Sequence, residues 1–317
     1  MFTYTEEQLL DPGRTVVRDA SNTIVATFTV GARTAVIRAT ERTIAEAGFS
    51  RTVTSHDRAR LLPAPFVPPV DYTWLEAART STDPDLIDFA LQYVKSAPDV
   101  VDGTQKIAGD ACYGPVDADT CTRPDHCHEP VDPDACTRVE GSDFNDYLGV
   151  DWTYPDGSID RAEASQLQCL DCSGFIRMVF GYRAGYPLQK TQGIACAIPR
   201  RAHEQITVGP GVLVIPDTGT RVQEEDFSKL QMGDIVGFNA DPEDDPVHGP
   251  ARLDHNGIYL GLDDQEPHHH RFISSRKKPN GPTMGNFRGS SILDCPKPPD
   301  SCDPWYYPSA FRAVRRF

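Results

Sequence analysis

Residues 168–187, QCLDCSGFIRMVFGYRAGYP, constrain the fold of this chain more than any other stretch. An Asp-Cys-Ser-Gly turn leads into a run with apolar side chains at Phe175, Ile176, Val179 and Phe180, the spacing of a helix that buries one face. Cys172 falls on the first turn of that helix. There a thiol meets unpaired backbone N–H groups and the positive end of the helix dipole, which favour thiolate over thiol. Two readings follow: a cysteine nucleophile, or a buried or disulfide-bonded cysteine that happens to start a helix. Only the surrounding motifs decide between them.

A chain of 317 residues has room for one large domain or two ordinary ones, and 39% hydrophobic with 24% charged residues suits a globular core. No apolar run approaches the roughly 20 residues of a membrane span. The first residues, MFTYTEEQLLDPG, lack the basic flank and apolar stretch of a signal peptide. The formal charge of −15, from 46 acidic and 31 basic residues, argues against a nucleic-acid partner, which needs a basic face.

The nine cysteines are Cys112, Cys121, Cys127, Cys136, Cys169, Cys172, Cys196, Cys295 and Cys302. An odd count fits up to four disulfides plus one reactive thiol, and hence an oxidising compartment. The missing signal peptide pulls the other way. Cys121, Cys127, His128 and Cys136 are a candidate metal cluster, but they contain no CxxC pair and match no common zinc spacing, so no metal is expected. Residues 152–163, WTYPDGSIDRAE, match the back half of a calcium loop, yet Trp152 and Tyr154 stand where carboxylates are required. A turn is the expectation there. No cofactor is implied.

Residues 1–62 read as a small β-rich accessory domain, with two alternating runs around a turn at 19–22, a third at 34–40 and a last strand within 51–62. Residues 62–70, LPAPFVPPV, are a Pro-rich, stiff linker. Residues 63–104 thus hold the linker and two helices, at 72–78 and at 84–96, the second with Asp83 as N-cap and Leu86, Phe89, Ala90 and Tyr93 on one face. Residues 105–317 form the remaining domain, with a Cys/Asp/Pro-rich insertion at about 116–150. One helix followed by strands within 231–239, 253–262, 271–275 and 310–317, the last by its alternation, points to an α+β architecture.

The order DCSGF (171–175), MGDIVGF (232–238), HNGIYLG (255–261), RFISS (271–275) and AFRAVRRF (310–317) resembles the NlpC/P60 family of papain-like cysteine peptidases. That family runs from a DCSG helix through L-x-x-G-D-L-V-F-F and H-V-G-I-Y-x-G strands to an F-I-H-A strand. The resemblance covers about residues 105–317 and implies a nucleophile helix packed on an antiparallel sheet. It also implies Cys172 as nucleophile, paired as thiolate with an imidazolium at His255. A nucleophilic cysteine needs such a base within hydrogen-bond reach, and His255 opens a strand whose start can approach a helix terminus.

The family's third residue, which orients the base, aligns to Ser274, where many members carry His; a serine offers a hydrogen bond without charge. Ser275, Asn280 and Asn286 are the other candidates for that role. DACYG at 110–114 nominates Tyr113 as the tyrosine that lies close to the catalytic sulfur. The other histidines are read as surface or structural, with His268, His269 and His270 in an exposed turn. Backbone N–H groups at the helix start are expected to contribute to an oxyanion hole.

The implied activity is a cysteine peptidase or amidase that hydrolyses amide bonds of bacterial cell-wall stem peptides through a thioester, in an extracellular or wall-associated setting. The rivals are acyl transfer or effector-type proteolysis on the same scaffold, and a catalytically silent binding module.

Overall fold

A computed structural model describes residues 3–117, 137–190, 196–240, 253–285, 291–295 and 306–317. Several antiparallel sheets and a few short helices make up the chain, an arrangement compatible with the α+β class. The first sheet is a five-stranded meander of β1 (Thr5–Leu9), β2 (Arg14–Arg18), β3 (Ile24–Thr29), β4 (Thr34–Ile44) and β5 (Val53–Leu61). The β2–β3 turn is set by Asp19, whose carboxylate accepts from the N–H groups of Ser21 and Thr23, and by Asn22 at φ 64°. Asn tolerates that left-handed region through its short polar side chain.

The Pro-rich segment is packed against this sheet and is not a free spacer. Leu62, Phe66 and Val70 are buried with Phe28, and Phe66 exchanges backbone hydrogen bonds with Gly31 and Ala32. Helix α1 (Tyr72–Thr80) seats Leu75 and Ala78 in the same cluster. Helix α2 (Leu86–Leu91) is capped by Asp85, which accepts from the Ile87 and Asp88 N–H groups while Asp88 reaches back; the expected cap, Asp83, lies two residues too early.

A short hairpin, β6 (Val100–Asp102) and β7 (Gln105–Ala108), leads to α3 (Phe144–Leu148). The turn expected at 152–163 is a hairpin of β8 (Trp152–Thr153) and β9 (Ile159–Asp160). The chain then enters α4 (Cys172–Ile176), which continues as a wider π-helical turn over Arg177–Arg183. Every residue from Cys172 through Gly181 is buried, so the helix is sunk on all sides instead of on one face.

After α5 (Ala202–Thr207) come β10 (Val212–Ile215), β11 (Ile235–Phe238), β12 (His255–Leu262), β13 (His270–Arg276), β14 (Gly281–Thr283), α6 (Tyr306–Ala310) and β15 (Phe311–Arg316). They build a six-stranded sheet in the order β10-β15-β11-β12-β13-β14, antiparallel throughout. Period-2 alternation sorts its side chains. Ile258, Leu260 and Ile273 pack on Phe175, Ile176 and Val179 of the buried helix, while Phe238, Tyr259 and Phe272 form a second core with Tyr307 on the opposite face.

The first core also takes in Ile44, Val53 and Ala59 from the N-terminal sheet. Arg316 joins the two sheets by ion-pairing with Asp234 at 2.7 Å and donating to Thr29 Oγ1 at 2.6 Å. No helix among the described residues is long and apolar enough to cross a membrane.

Candidate active site

Cys172 is the first residue of α4 because Asp171 ends the preceding extended segment and caps the helix, accepting from Gly174 N–H at 2.7 Å and from Ser173 Oγ at 3.0 Å. Gly174 is required by packing: a Cβ there would lie 2.2 Å from the Ser142 carbonyl oxygen. Asp171 is in turn held by Arg200, which donates to its Oδ2 at 2.7 Å and to Ser173 Oγ at 2.6 Å. The guanidinium and these hydrogen bonds outweigh burial and hold the Asp171 carboxyl below its ordinary range. Arg200 also lies 3.5 Å from Asp143, the partner of the fully buried Arg177. An alternating chain of acids and arginines therefore pins the turn that presents the sulfur.

The sulfur meets the six-stranded sheet at the start of β12. The thiol donates to the Asp254 carbonyl oxygen at 3.9 Å, so the main chain just before His255 meets Sγ. The Asn256 side chain turns to the helix layer and donates to Gln205 of α5, whose own amide donates to the Ser173 carbonyl at 3.1 Å. His255 projects to the other face, against Tyr307 (ring centroids 5.4 Å apart) and Phe238 (5.9 Å). Its Nε2 is buried and has no hydrogen-bond partner among the described residues.

A cleft of about 480 Å³ opens beside these groups, lined by Tyr113, His255, Arg276, Lys277, Tyr306 and Tyr307 among others. Tyr113 is buried, and burial, then its nearness to Cys172, Asp171 and Glu140, raises its phenol well above the ordinary tyrosine value. Glu140 pairs across to Lys277 at 2.8 Å. Tyr113, Cys172 and His255 are thus brought into one neighbourhood.

Ser274 is not placed to hold the base. It faces Gly257, where a Cβ would lie 3.1 Å from the Ser274 Cβ, and its hydroxyl accepts from Arg276 Nε at 2.9 Å. The alternatives are also engaged: Ser275 Oγ donates to the Leu170 carbonyl and Asn280 Oδ1 accepts from Tyr113 N–H, while Asn286 lies outside the described residues. The group beside His255 is Arg276, buried with its guanidinium 4.4 Å from the Tyr307 ring centre. An arginine cannot accept the ring proton.

The charge states also differ from the expected thiolate–imidazolium pair. Burial, then the negative Asp171 and Glu140, push the Cys172 thiol well above its ordinary value, and Arg200 and the Asn256 N–H oppose this without overturning it. Burial, then Arg276, push His255 down to about 3. Desolvation outweighs the helix dipole, so the resting site holds a neutral thiol and a neutral imidazole.

Sequence reasoning missed Arg200, Asp143, Gln205 and Arg276. Arg200 follows Pro199 just before α5, but its partner Asp171 lies 29 residues earlier, and no local spacing reports that contact. Other histidines also differ from expectation: His269 is buried, and His270 opens β13 with its ring stacked on Tyr259 instead of standing in an exposed turn. Cys172 is not alone as a free thiol, since Cys196 is another and is exposed, whereas Cys295 is disulfide-bonded. Cys121, Cys127, Cys136, Cys302, His126, His128 and His248 lie outside the described residues. Among those described, no group of three His, Cys, Asp or Glu side chains is arranged to hold a metal ion. Compared with known proteins, the chain matches no family model, no curated protein and no solved structure.

Proposed function

We propose that this chain is a cysteine hydrolase of peptidase or amidase type, built on a papain-like core of the NlpC/P60 kind, acting on stem peptides of the bacterial cell wall. One observation carries the reading: Cys172 opens a buried, capped helix whose first turn is set against the strand that His255 begins, beside a cleft.

The neutral resting pair gives the order of steps. An amide carbonyl enters the cleft, and Cys172 Sγ attacks its carbon as the thiol proton passes to the His255 ring, a general-base step and not the use of a preformed thiolate. Backbone N–H groups at the helix start stabilise the oxyanion. The imidazolium then protonates the departing amine, leaving a thioester on Cys172. Water, activated by the neutral ring, releases the acid and restores the thiol. The cleft wall carries Arg276, Lys277 and Lys278 together with Glu140 and Asp254, a lining of both charges that suits a stem peptide, which carries carboxylates and amines. Such a substrate places the protein outside the cytoplasm or at the wall.

The raised thiol favours a second reading, a silent binding module. A digest of purified peptidoglycan separates the two. The hydrolase releases new amino termini from stem peptides, and Cys172→Ala abolishes release without unfolding the protein. Stem peptides bound but left intact by the unaltered protein favour the module, and equal cleavage by Cys172→Ala refutes the assignment of the nucleophile.

A further inference from the structure

Cys112 and Cys169 belong to no step of this chemistry, yet they flank it: Cys112 precedes Tyr113, and Cys169 stands three residues before Cys172. Their sulfurs lie 2.8 Å apart, and each residue is about 1% exposed. The main chains are already paired as a parallel bridge, with Cys112 N–H donating to the Gln168 carbonyl at 3.1 Å and Leu170 N–H donating to the Cys112 carbonyl at 2.7 Å. Residues so paired stand about 4.8 Å apart, inside the Cα window of about 4.4–6.8 Å that a disulfide needs. Side-chain torsion alone can bring the sulfurs to bonding distance.

We propose that Cys112 and Cys169 close a reversible disulfide that clamps the Tyr113 wall of the cleft to the turn leading into the Cys172 helix. The oxidant is a low-molecular-weight disulfide such as oxidised glutathione. During a local opening of the strand segment, one cysteine thiolate attacks the small disulfide and displaces one thiol, forming a mixed disulfide. The second cysteine then attacks the protein sulfur of that mixed disulfide and displaces the other thiol. Two protein thiols become one disulfide, and one small disulfide becomes two thiols that carry the protons. Cys172 stays outside the exchange, since its sulfur is turned to the Asp254 carbonyl oxygen at the start of β12, 3.9 Å away.

The importance of the clamp to catalysis rests on the hydrolase reading, but neither test below requires activity. The full chain is equilibrated with oxidised glutathione, denatured in excess N-ethylmaleimide and digested for mass spectrometry. A linked Cys112–Cys169 peptide, with Cys172 alkylated, is expected. Both residues alkylated, or either linked to another cysteine, overturns the proposal. Hydrogen exchange then compares the oxidised and dithiothreitol-reduced chains. The Tyr113 amide is expected to exchange at least about tenfold more slowly when the bond is closed, and equal exchange rates refute the clamp.

Discussion

At Cys172 the helix dipole and desolvation pull in opposite directions, and desolvation dominates with the help of Asp171 and Glu140. The sign gives a pH prediction. A thiol raised above its ordinary value is almost wholly protonated at neutral pH, so alkylation of Cys172 by iodoacetamide should rise about tenfold per pH unit between pH 6 and 9. A plateau reached below pH 7 would instead reveal the thiolate–imidazolium pair. His255 does not bend this profile in that range, because burial and Arg276 hold it at about 3 and it stays neutral throughout. The two chief residues were legible as residues, since a cysteine at a helix start and a histidine at a strand start are local patterns. Their charge states were not, because those depend first on burial by elements distant in sequence, and then on groups such as Arg276 and Glu140 that approach from other parts of the chain.

At the scale of elements, the turn before α4 depends on Asp171 twice, as helix cap and as the partner of Arg200. Asp171→Ala removes a cap worth about 0.5–2 kcal/mol and takes one partner from a largely buried ion pair, a loss of about 3–5 kcal/mol when no other acid is near. Arg200 keeps Asp143 at 3.5 Å, which places the expected loss near the lower end, about 3 kcal/mol by urea unfolding. A change under about 1 kcal/mol would show that Asp143 alone satisfies the guanidinium. Strands β11, β12, β13 and β15 were legible as short, largely apolar runs, the pattern of strands buried on both faces. Helix α5 was not: in AHEQIT the buried residues are Ala202, Gln205 and Ile206, too few apolar positions to display a period. Ser274 was legible as a position but not as a role, because the side chain two residues along on the same strand face, Arg276, takes its hydroxyl.

Across the whole molecule, the N-terminal meander and the six-stranded sheet are joined by a shared core. Ile44, Val53 and Ala59 lie in one cluster with Phe180, Ile258 and Phe317, and Arg316 bonds to both Asp234 and Thr29. Composition identified a β-rich beginning and a Pro-rich segment, but not that Leu62, Phe66 and Val70 anchor this segment in the sheet, since proline content alone does not report what the apolar residues between the prolines touch. Such a core predicts one cooperative transition. Urea unfolding followed by tryptophan fluorescence and by far-ultraviolet circular dichroism should give coincident curves, and two separated midpoints would show units that unfold independently.

The central claim, that Cys172 carries the acyl group of a cleaved amide, is tested most directly by acid-quenching the protein during turnover of a purified stem peptide and mapping the adduct by mass spectrometry. The expected result is the acyl fragment on the peptide containing Cys172, absent in Cys172→Ala. Turnover with no adduct at Cys172, or with the adduct on another residue, would contradict the account.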